Sequence, residues 1–229
     1  MFFDPLYLII ALPALLLGMY AQARVKSNFN KYAQVRTSRG FTGAQVAKAL
    51  LNSQGLYDVQ VEETQGFLSD HYDPRSKTLR LSPEVYRTPS VAAAGIAAHE
   101  MGHALQHASA YMPLQIRSAL VPAVQFSSNL APWIIIGGML LQWTSLAWLG
   151  VILFGAAVVF SLITLPVEFD ASRRAKQLLV SEGVLSIQET EGVNKVLDAA
   201  ALTYVAAAIA AVGQLIYWVL RLSGASRRD

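Results

Sequence analysis

The chain has no cysteine, and this absence excludes disulfide bonds and thiolate metal ligands from any account of its fold. Charged residues are also scarce, at 14% of the 229 residues, whereas hydrophobic residues make up 54%. An ordinary soluble domain has about 25% charged residues, so the composition excludes that class for the chain as a whole. Histidine occurs only four times, and three of the four lie within nine residues of one another.

Three stretches without any charged residue account for the apolar composition, and they cover residues 5–23, 118–167 and 199–220. A membrane-spanning helix needs about 20 apolar residues, so the first and last stretches fit one span each and the middle stretch fits two. The sequence therefore predicts a mainly α-helical membrane protein with four transmembrane helices and one water-soluble insert. The expected parts are an anchor helix (1–23), a soluble domain (24–117), a two-span hairpin (118–167), a polar helical segment (168–198), a last span (199–222) and a basic tail (223–229).

The soluble insert has an α+β pattern that ends in one long helix. An amphipathic helix is predicted over residues 42–55 and a strand near 59–61. Residues 67–81 are predicted to form a hairpin with its turn at 73–76, and Pro83 suits the start of a further helix. The small, apolar residues that follow Ser90 predict a helix that has this serine as its N-cap.

His99, Glu100 and His103 form the pattern H-E-x-x-H inside this last helix. Residues four apart lie on the same helical face, so both imidazoles can bind one ion. Glu100 can then take a proton from a water that the ion polarises, which is the division of roles that a zinc hydrolase needs. The alternative is a chance match on a buried helix, but His and Glu without partners would be costly in so apolar a segment.

Catalytic zinc usually has three protein ligands, so the histidine pair needs a third. His107 lies about 12 Å beyond His99 along a helix, too far to share one ion, and is expected to support the site or lie at the surface. Glu168 follows the predicted hairpin, whose two ends emerge on the same side of the membrane, so it can meet the histidines. Asp170 competes as a ligand or as the acceptor that orients a ligand histidine. Glu168 could instead be an interface carboxylate that pairs with Arg173 or Arg174.

The fourth histidine, His71, lies in the predicted hairpin. Zinc proteases commonly bind substrate as an extra strand beside the metal helix, so the His71 imidazole or the Tyr72 phenol could stabilise the oxyanion formed during hydrolysis. The alternative is a solvated histidine beside an ordinary turn.

The orientation in the membrane is predicted from basic residues. From Arg24 to Lys48 the chain has several of them and no acidic residue, which indicates that the insert and its active site face the cytoplasm. No basic residue precedes the first span, so this span is expected to be a retained anchor. Arg227 and Arg228 oppose this orientation in a four-span chain, unless the last helix lies flat. The net charge of +3 needs no nucleic-acid partner to explain it.

Three motifs resemble the YugP-type neutral zinc metallopeptidases of bacterial membranes, and the resemblance covers nearly the whole chain. They are DHYDPR at 70–75, AAHEMGHA at 97–104 and LPVEFDAS at 165–172. A more distant similarity is to the HtpX- and CAAX-type membrane proteases, which pair H-E-x-x-H with a later E-x-x-x-D. In that comparison Glu168 matches the third zinc ligand, while Ser172 stands where those proteases have the aspartate and Asp170 is the candidate to replace it. The resemblance implies peptidase activity and leaves the substrate unspecified.

The sequence as a whole predicts a membrane-bound zinc metalloendopeptidase with a zincin-like insert. His99, His103 and Glu168 are the expected Zn²⁺ ligands, and Glu100 is the expected base. The expected partners are the lipid bilayer and a protein or peptide substrate, in membrane proteins or their juxtamembrane segments, while the oligomeric state is not predicted. The alternative from another functional class is a non-catalytic membrane adaptor or chaperone with a structural metal site, although such a site does not need Glu100.

Overall fold

The computed structural model describes residues 4–225, which are mostly helical with one small sheet. Four of the described helices are long and apolar enough to cross a membrane, as predicted. The elements are α1 (Pro5–Ala33), α2 (Gly43–Ser53), β1 (Gln60–Glu63), β2 (His71–Asp73), β3 (Thr78–Leu81), α3 (Pro83–Arg87), α4 (Val91–Ala108), α5 (Met112–Leu140), α6 (Thr144–Ser181) and α7 (Ile187–Ala225).

The long helices extend beyond the uncharged stretches that predicted them. α1 continues through Arg24 and Lys31, and α6 continues through Pro166 into polar sequence. A proline inside a helix removes one main-chain hydrogen bond and kinks the helix without necessarily ending it. The polar segment 168–198 is therefore not a separate helical element. Its first part ends α6, its last part begins α7, and a turn at residues 182–186 lies between them.

The described residues divide into two compact units. One unit consists of Gln22–Leu114 and Val167–Leu202, and the other consists of Gln115–Pro166 with the described residues before Gln22 and after Leu202. The candidate ligands, the candidate base and His71 all lie in the first unit, so this unit holds the whole candidate site.

The sheet lies in the first unit and has the strand order β1-β3-β2. β2 and β3 form the predicted antiparallel hairpin, and β1 pairs with β3 in parallel. The first strand of the hairpin begins at His71, later than the predicted start at Phe67. Gly66 and Leu68 explain the difference, because their φ angles of 110° and 50° interrupt the extended chain.

Helix α4 is largely buried within this unit. It begins where predicted, at the N-cap Ser90, whose Oγ accepts a hydrogen bond from the N–H of Ala93 at 3.2 Å. The apolar core of the first unit includes Val46 and Leu50 from α2 and Met101 from α4, and none of the three is exposed to solvent. The small residues of α4 therefore let other backbone segments approach the histidine-bearing helix closely.

The second unit contains the apolar parts of the long helices. Ile135 of α5 and Ala147 and Val151 of α6 are buried in one cluster. A Cβ atom on Gly138 would lie 2.4 Å from the backbone nitrogen of Ala147, so only glycine permits this close approach of α5 and α6. The hydroxyl of Tyr217 donates a hydrogen bond to the Asp4 carboxylate at 3.1 Å.

Candidate metal centre

The candidate centre forms where one face of α4 meets α6. His99 and His103 are one turn apart on α4, and their ring centroids are 4.8 Å apart. Glu168 of α6 faces them, and the ligand-type atoms of the three residues all lie within 4.8 Å of one another. His103 and Glu168 are buried, and the His99 side chain is only 13% exposed. The structure therefore brings together the three residues that the sequence predicts as zinc ligands.

The spacing of these atoms suits a metal ion. Glu168 Oε2 lies 3.3 Å from His99 Nε2 and 3.7 Å from His103 Nε2. Two ligand atoms of a tetrahedral zinc ion, at bond lengths near 2.0–2.2 Å, are about 3.3–3.5 Å apart. A carboxylate oxygen and an unprotonated imidazole nitrogen at such distances repel each other unless a proton or a metal ion lies between them. Two histidines and one carboxylate are also a donor set that zinc uses in hydrolases, so this group could bind Zn²⁺.

A close helix contact brings the three residues together. Gly102 lies on α4 just before His103, and a Cβ atom at this position would be 2.6 Å from the carbonyl oxygen of Ala171 on α6. Backbone atoms cannot move aside as a flexible side chain can. Glycine at position 102 therefore permits the approach of α4 and α6 that places Glu168 against the histidines.

The other ring nitrogen of each histidine also has a partner. His99 Nδ1 lies 3.1 Å from the hydroxyl oxygen of Ser172 on α6, and His103 Nδ1 lies 3.0 Å from Oε1 of Gln106 on α4. Each imidazole thus has a polar partner at Nδ1, and its Nε2 atom is directed at Glu168. Hydrogen bonds of this kind fix the orientation of metal-binding histidines in proteins.

Asp170 contributes through Gln106 and not by touching a histidine ring. The Gln106 amide donates to the main-chain oxygen of Val167 at 2.8 Å and to Asp170 Oδ2 at 2.9 Å. The Asp170 carboxylate also pairs with Arg173 and, at 2.6 Å, with Nε of Arg174. The arginines that the sequence offered as partners of Glu168 therefore pair with Asp170.

Glu100, the candidate base, is 8% exposed and follows His99 directly on α4. Burial by itself lowers the pKa of His103, but the nearby carboxylates of Glu168 and Glu100 outweigh burial and raise this pKa above its usual value. The centre therefore attracts positive charge, which is the property that a cation site requires.

The two remaining histidines have other partners. His71 is exposed, and its Nδ1 contacts the main-chain oxygen of Ser69 at 2.8 Å. His107 Nδ1 lies 2.9 Å from the hydroxyl of Tyr72, which joins β2 to α4. Burial, with smaller effects from nearby aspartates, raises the pKa of Tyr72 to about 12, so the phenol keeps its proton.

Sequence reasoning did not single out Gln106. Gln106 follows His103 by three residues, so helical spacing alone could have placed its side chain on the face of the histidines. Gly102 is different, because the small residues Ala97, Ala98, Gly102 and Ala104 already predict that other backbone can approach the site closely. The structure adds that the backbone at Gly102 is that of Ala171 on α6.

Comparison with known proteins agrees with this geometry. Residues 7–223 match the model of a family described as "Putative neutral zinc metallopeptidase". The chain is also 52% identical over 215 residues to a Bacillus subtilis (strain 168) protein named "Putative membrane protease YugP", and the match covers 94% of this chain and 96% of the relative. No solved structure matches the chain significantly. The chain therefore belongs to this neutral zinc metallopeptidase family.

Proposed function

We propose that this protein is a membrane-bound zinc metalloendopeptidase with a zincin-like catalytic unit. The observation that carries the proposal is the convergence of His99, His103 and Glu168 beside the buried carboxylate of Glu100. A structural metal site that only links two helices does not need an additional carboxylate next to its ligands. Family membership and the name of the Bacillus subtilis relative support the same reading.

In this mechanism His99, His103 and Glu168 would hold Zn²⁺, which would polarise the attacking water and the scissile carbonyl, the chemistry that zinc supplies in hydrolases. Glu100 takes a proton from the attacking water and delivers it to the leaving amide nitrogen as the carbon–nitrogen bond breaks. An oxyanion-stabilising role for His71 remains a prediction, which a His71→Ala variant with a reduced kcat at unchanged zinc content would support.

The proposed substrates are membrane proteins or their juxtamembrane segments. Glu168 directly follows the uncharged residues 144–167 on the continuous helix α6, so the third ligand and an apolar segment of membrane length share one helix. The charge pattern around the first span supports a cytoplasmic active site in a multi-pass protein of the cell membrane.

The activity is tested by comparing wild type with Glu100→Gln. Both proteins are loaded with zinc, and cleavage of an unfolded protein and of the enzyme itself is measured with zinc content on the same samples. We expect equal zinc and a loss of turnover of at least about 100-fold, because proton transfer by a positioned base contributes about that much. Full activity of the variant would contradict the mechanism. Equal zinc without cleavage by either protein would favour the adaptor alternative.

The orientation is tested with single cysteines, because the chain has none of its own. Arg75 in the β2–β3 turn and Gln142 in the α5–α6 turn are both exposed. On intact cells a membrane-impermeant maleimide should label Gln142→Cys, and it should label Arg75→Cys only after permeabilisation. The reverse pattern would put the active site outside.

A further inference from the structure

Gln106 is a buried side chain that links a candidate ligand to the neighbouring helix. It has no exposed surface, and its amide contacts three polar groups. Oε1 faces His103 Nδ1 at 3.0 Å, and Nε2 donates to the main-chain oxygen of Val167 and to the carboxylate of Asp170. A buried amide with its oxygen and both N–H groups engaged has a single favourable orientation.

The direction of each hydrogen bond follows from the chemistry of the partners. The Val167 carbonyl and the Asp170 carboxylate can only accept, so they require the NH₂ group of Gln106. Oε1 must then face His103, and because an amide oxygen only accepts, His103 Nδ1 must carry a proton. In a neutral imidazole the lone pair is then on Nε2, the atom that faces Glu168 at 3.7 Å.

We infer that Gln106 is a positioning residue, which holds His103 in the tautomer that can bind a metal through Nε2 and ties this ring to the helix that carries Glu168. The inference rests on the proposed zinc site. Without Gln106, His103 could protonate Nε2 and accept at Nδ1, and that tautomer has its electron pair on Nδ1, on the side of the ring away from Glu168. Loss of Gln106 therefore weakens zinc binding even where the fold is intact.

The other histidine provides a matched comparison. His99 Nδ1 contacts the hydroxyl of Ser172 at 3.1 Å. A hydroxyl can either donate or accept, so Ser172 holds the ring in place without selecting its tautomer. Removal of the Ser172 hydroxyl should consequently affect zinc affinity less than removal of the Gln106 amide does.

The experiment measures zinc affinity of the full-length protein in detergent by competition with a chelator. Gln106→Met keeps a long, flexible side chain of similar size but replaces the amide oxygen with a thioether, which is only a weak acceptor, and Ser172→Ala is the matched control. We expect Gln106→Met to weaken zinc binding by about 10- to 100-fold, the usual effect of losing a hydrogen bond to a metal-binding histidine, and Ser172→Ala to weaken it less. In the zinc-loaded wild type the Nδ1 proton of His103 should also give a slowly exchanging NMR signal, which the methionine variant loses.

A rescue separates positioning from packing. Gln106→Glu keeps an acceptor for His103 but places a second carboxylate against Asp170, so zinc binding should weaken. Adding Asp170→Asn supplies a donor to the new carboxylate and should recover part of the lost affinity, which restored packing alone would not explain. The recovery is partial because the Val167 carbonyl still faces that carboxylate and Arg173 and Arg174 lose their partner. Wild-type affinity in Gln106→Met, or a loss in Ser172→Ala as large as the loss in Gln106→Met, would overturn the inference but not the zinc site. Failure of the wild type itself to bind zinc would instead overturn the proposed function.

Discussion

Gly102→Ala should disrupt the metal centre without changing any candidate ligand. The new methyl group would lie 2.6 Å from the carbonyl oxygen of Ala171, whereas ordinary contact begins at 3.4 Å. The difference is about 0.8 Å, and the obstructing atom belongs to the backbone of α6, so relief requires α4 and α6 to separate. Glu168 is on the helix that must move, and both histidines are on the other.

The size of the effect follows from the tolerance of metal sites. Zinc–ligand distances in working sites stay within about 0.2 Å of their ideal values, so a separation of about 0.8 Å cannot be absorbed with all three ligands bound. The metal-free protein can relax by parting the helices, whereas the zinc-bound protein cannot. The cost of overpacking, about 1–3 kcal/mol, should therefore appear as a loss of zinc affinity of about 5- to 150-fold.

The assay is chelator competition for zinc, with Gly95→Ala as the matched control. Gly95 is on the same helix, so both variants gain the same helix propensity, about 1 kcal/mol relative to glycine. A Cβ atom at Gly95 would lie 3.1 Å from Val193 Cγ1, a side-chain atom that can shift by the few tenths of an ångström required. Gly95→Ala should bind zinc within about twofold of the wild type, an affinity change of less than 0.5 kcal/mol.

Wild-type zinc affinity in Gly102→Ala, together with unchanged or raised thermal stability, would refute this reasoning. It would mean that α4 and α6 do not need their close approach to form the centre. Equal losses in both glycine variants would assign the effect to α4 as a whole and not to its contact with Ala171.

Three further predictions concern metal removal, pH and the link between β2 and α4. Chelation should lower the unfolding temperature of the wild type but not of His99→Ala, because zinc at about 100 times its Kd stabilises a protein by about 2.7 kcal/mol. Burial, opposed by hydrogen bonds from Ser82 and reinforced by the charge of Glu100, raises the pKa of Asp70 above 3.8. The free energy of unfolding of the wild type thus falls as pH rises from 3.8 through that raised pKa. Denaturant titrations of the metal-free proteins should show that Asp70→Asn becomes more stable relative to the wild type across this pH range. A stability difference that does not change with pH would contradict this prediction. Tyr72→Phe removes the hydrogen bond to His107 and should lower unfolding free energy by about 0.5–1.5 kcal/mol without reducing zinc content.

Local signals predicted the part of the site that lies on one helix. Ser90 as N-cap and the four-residue spacing of His99 and His103 depend only on neighbouring sequence, and both features are present in the structure. The hairpin β2–β3 was predicted for the same reason, from a turn between two short runs. Its first strand is shorter than predicted because positive φ angles, which sequence alone does not reveal at Leu68, interrupt the chain.

The choice between Glu168 and Asp170 shows what the sequence could not settle from residue chemistry. Residues two positions apart on a helix are separated by about 200° of rotation about its axis, so only one of these carboxylates can face the histidines. The rotation of α6 is set by its packing on α4, which local sequence does not encode. In the structure Glu168 faces the rings and Asp170 contacts Gln106, whose partners on α6 were equally unpredictable.

The contacts of the centre share one register between two antiparallel helix segments. From the start of α4 toward its end, His99 meets Ser172, Gly102 meets Ala171, His103 meets Glu168, and Gln106 meets Val167, so numbers rise on one helix as they fall on the other. A slide of α6 by one turn, about 5.4 Å, would break all four pairs together. The ligands, their orienting hydrogen bonds and the glycine contact therefore depend on a single relative position of the two segments. Substitutions in two of these pairs should consequently have non-additive effects on zinc affinity, because the first substitution that shifts the helices already removes part of what the second would disturb.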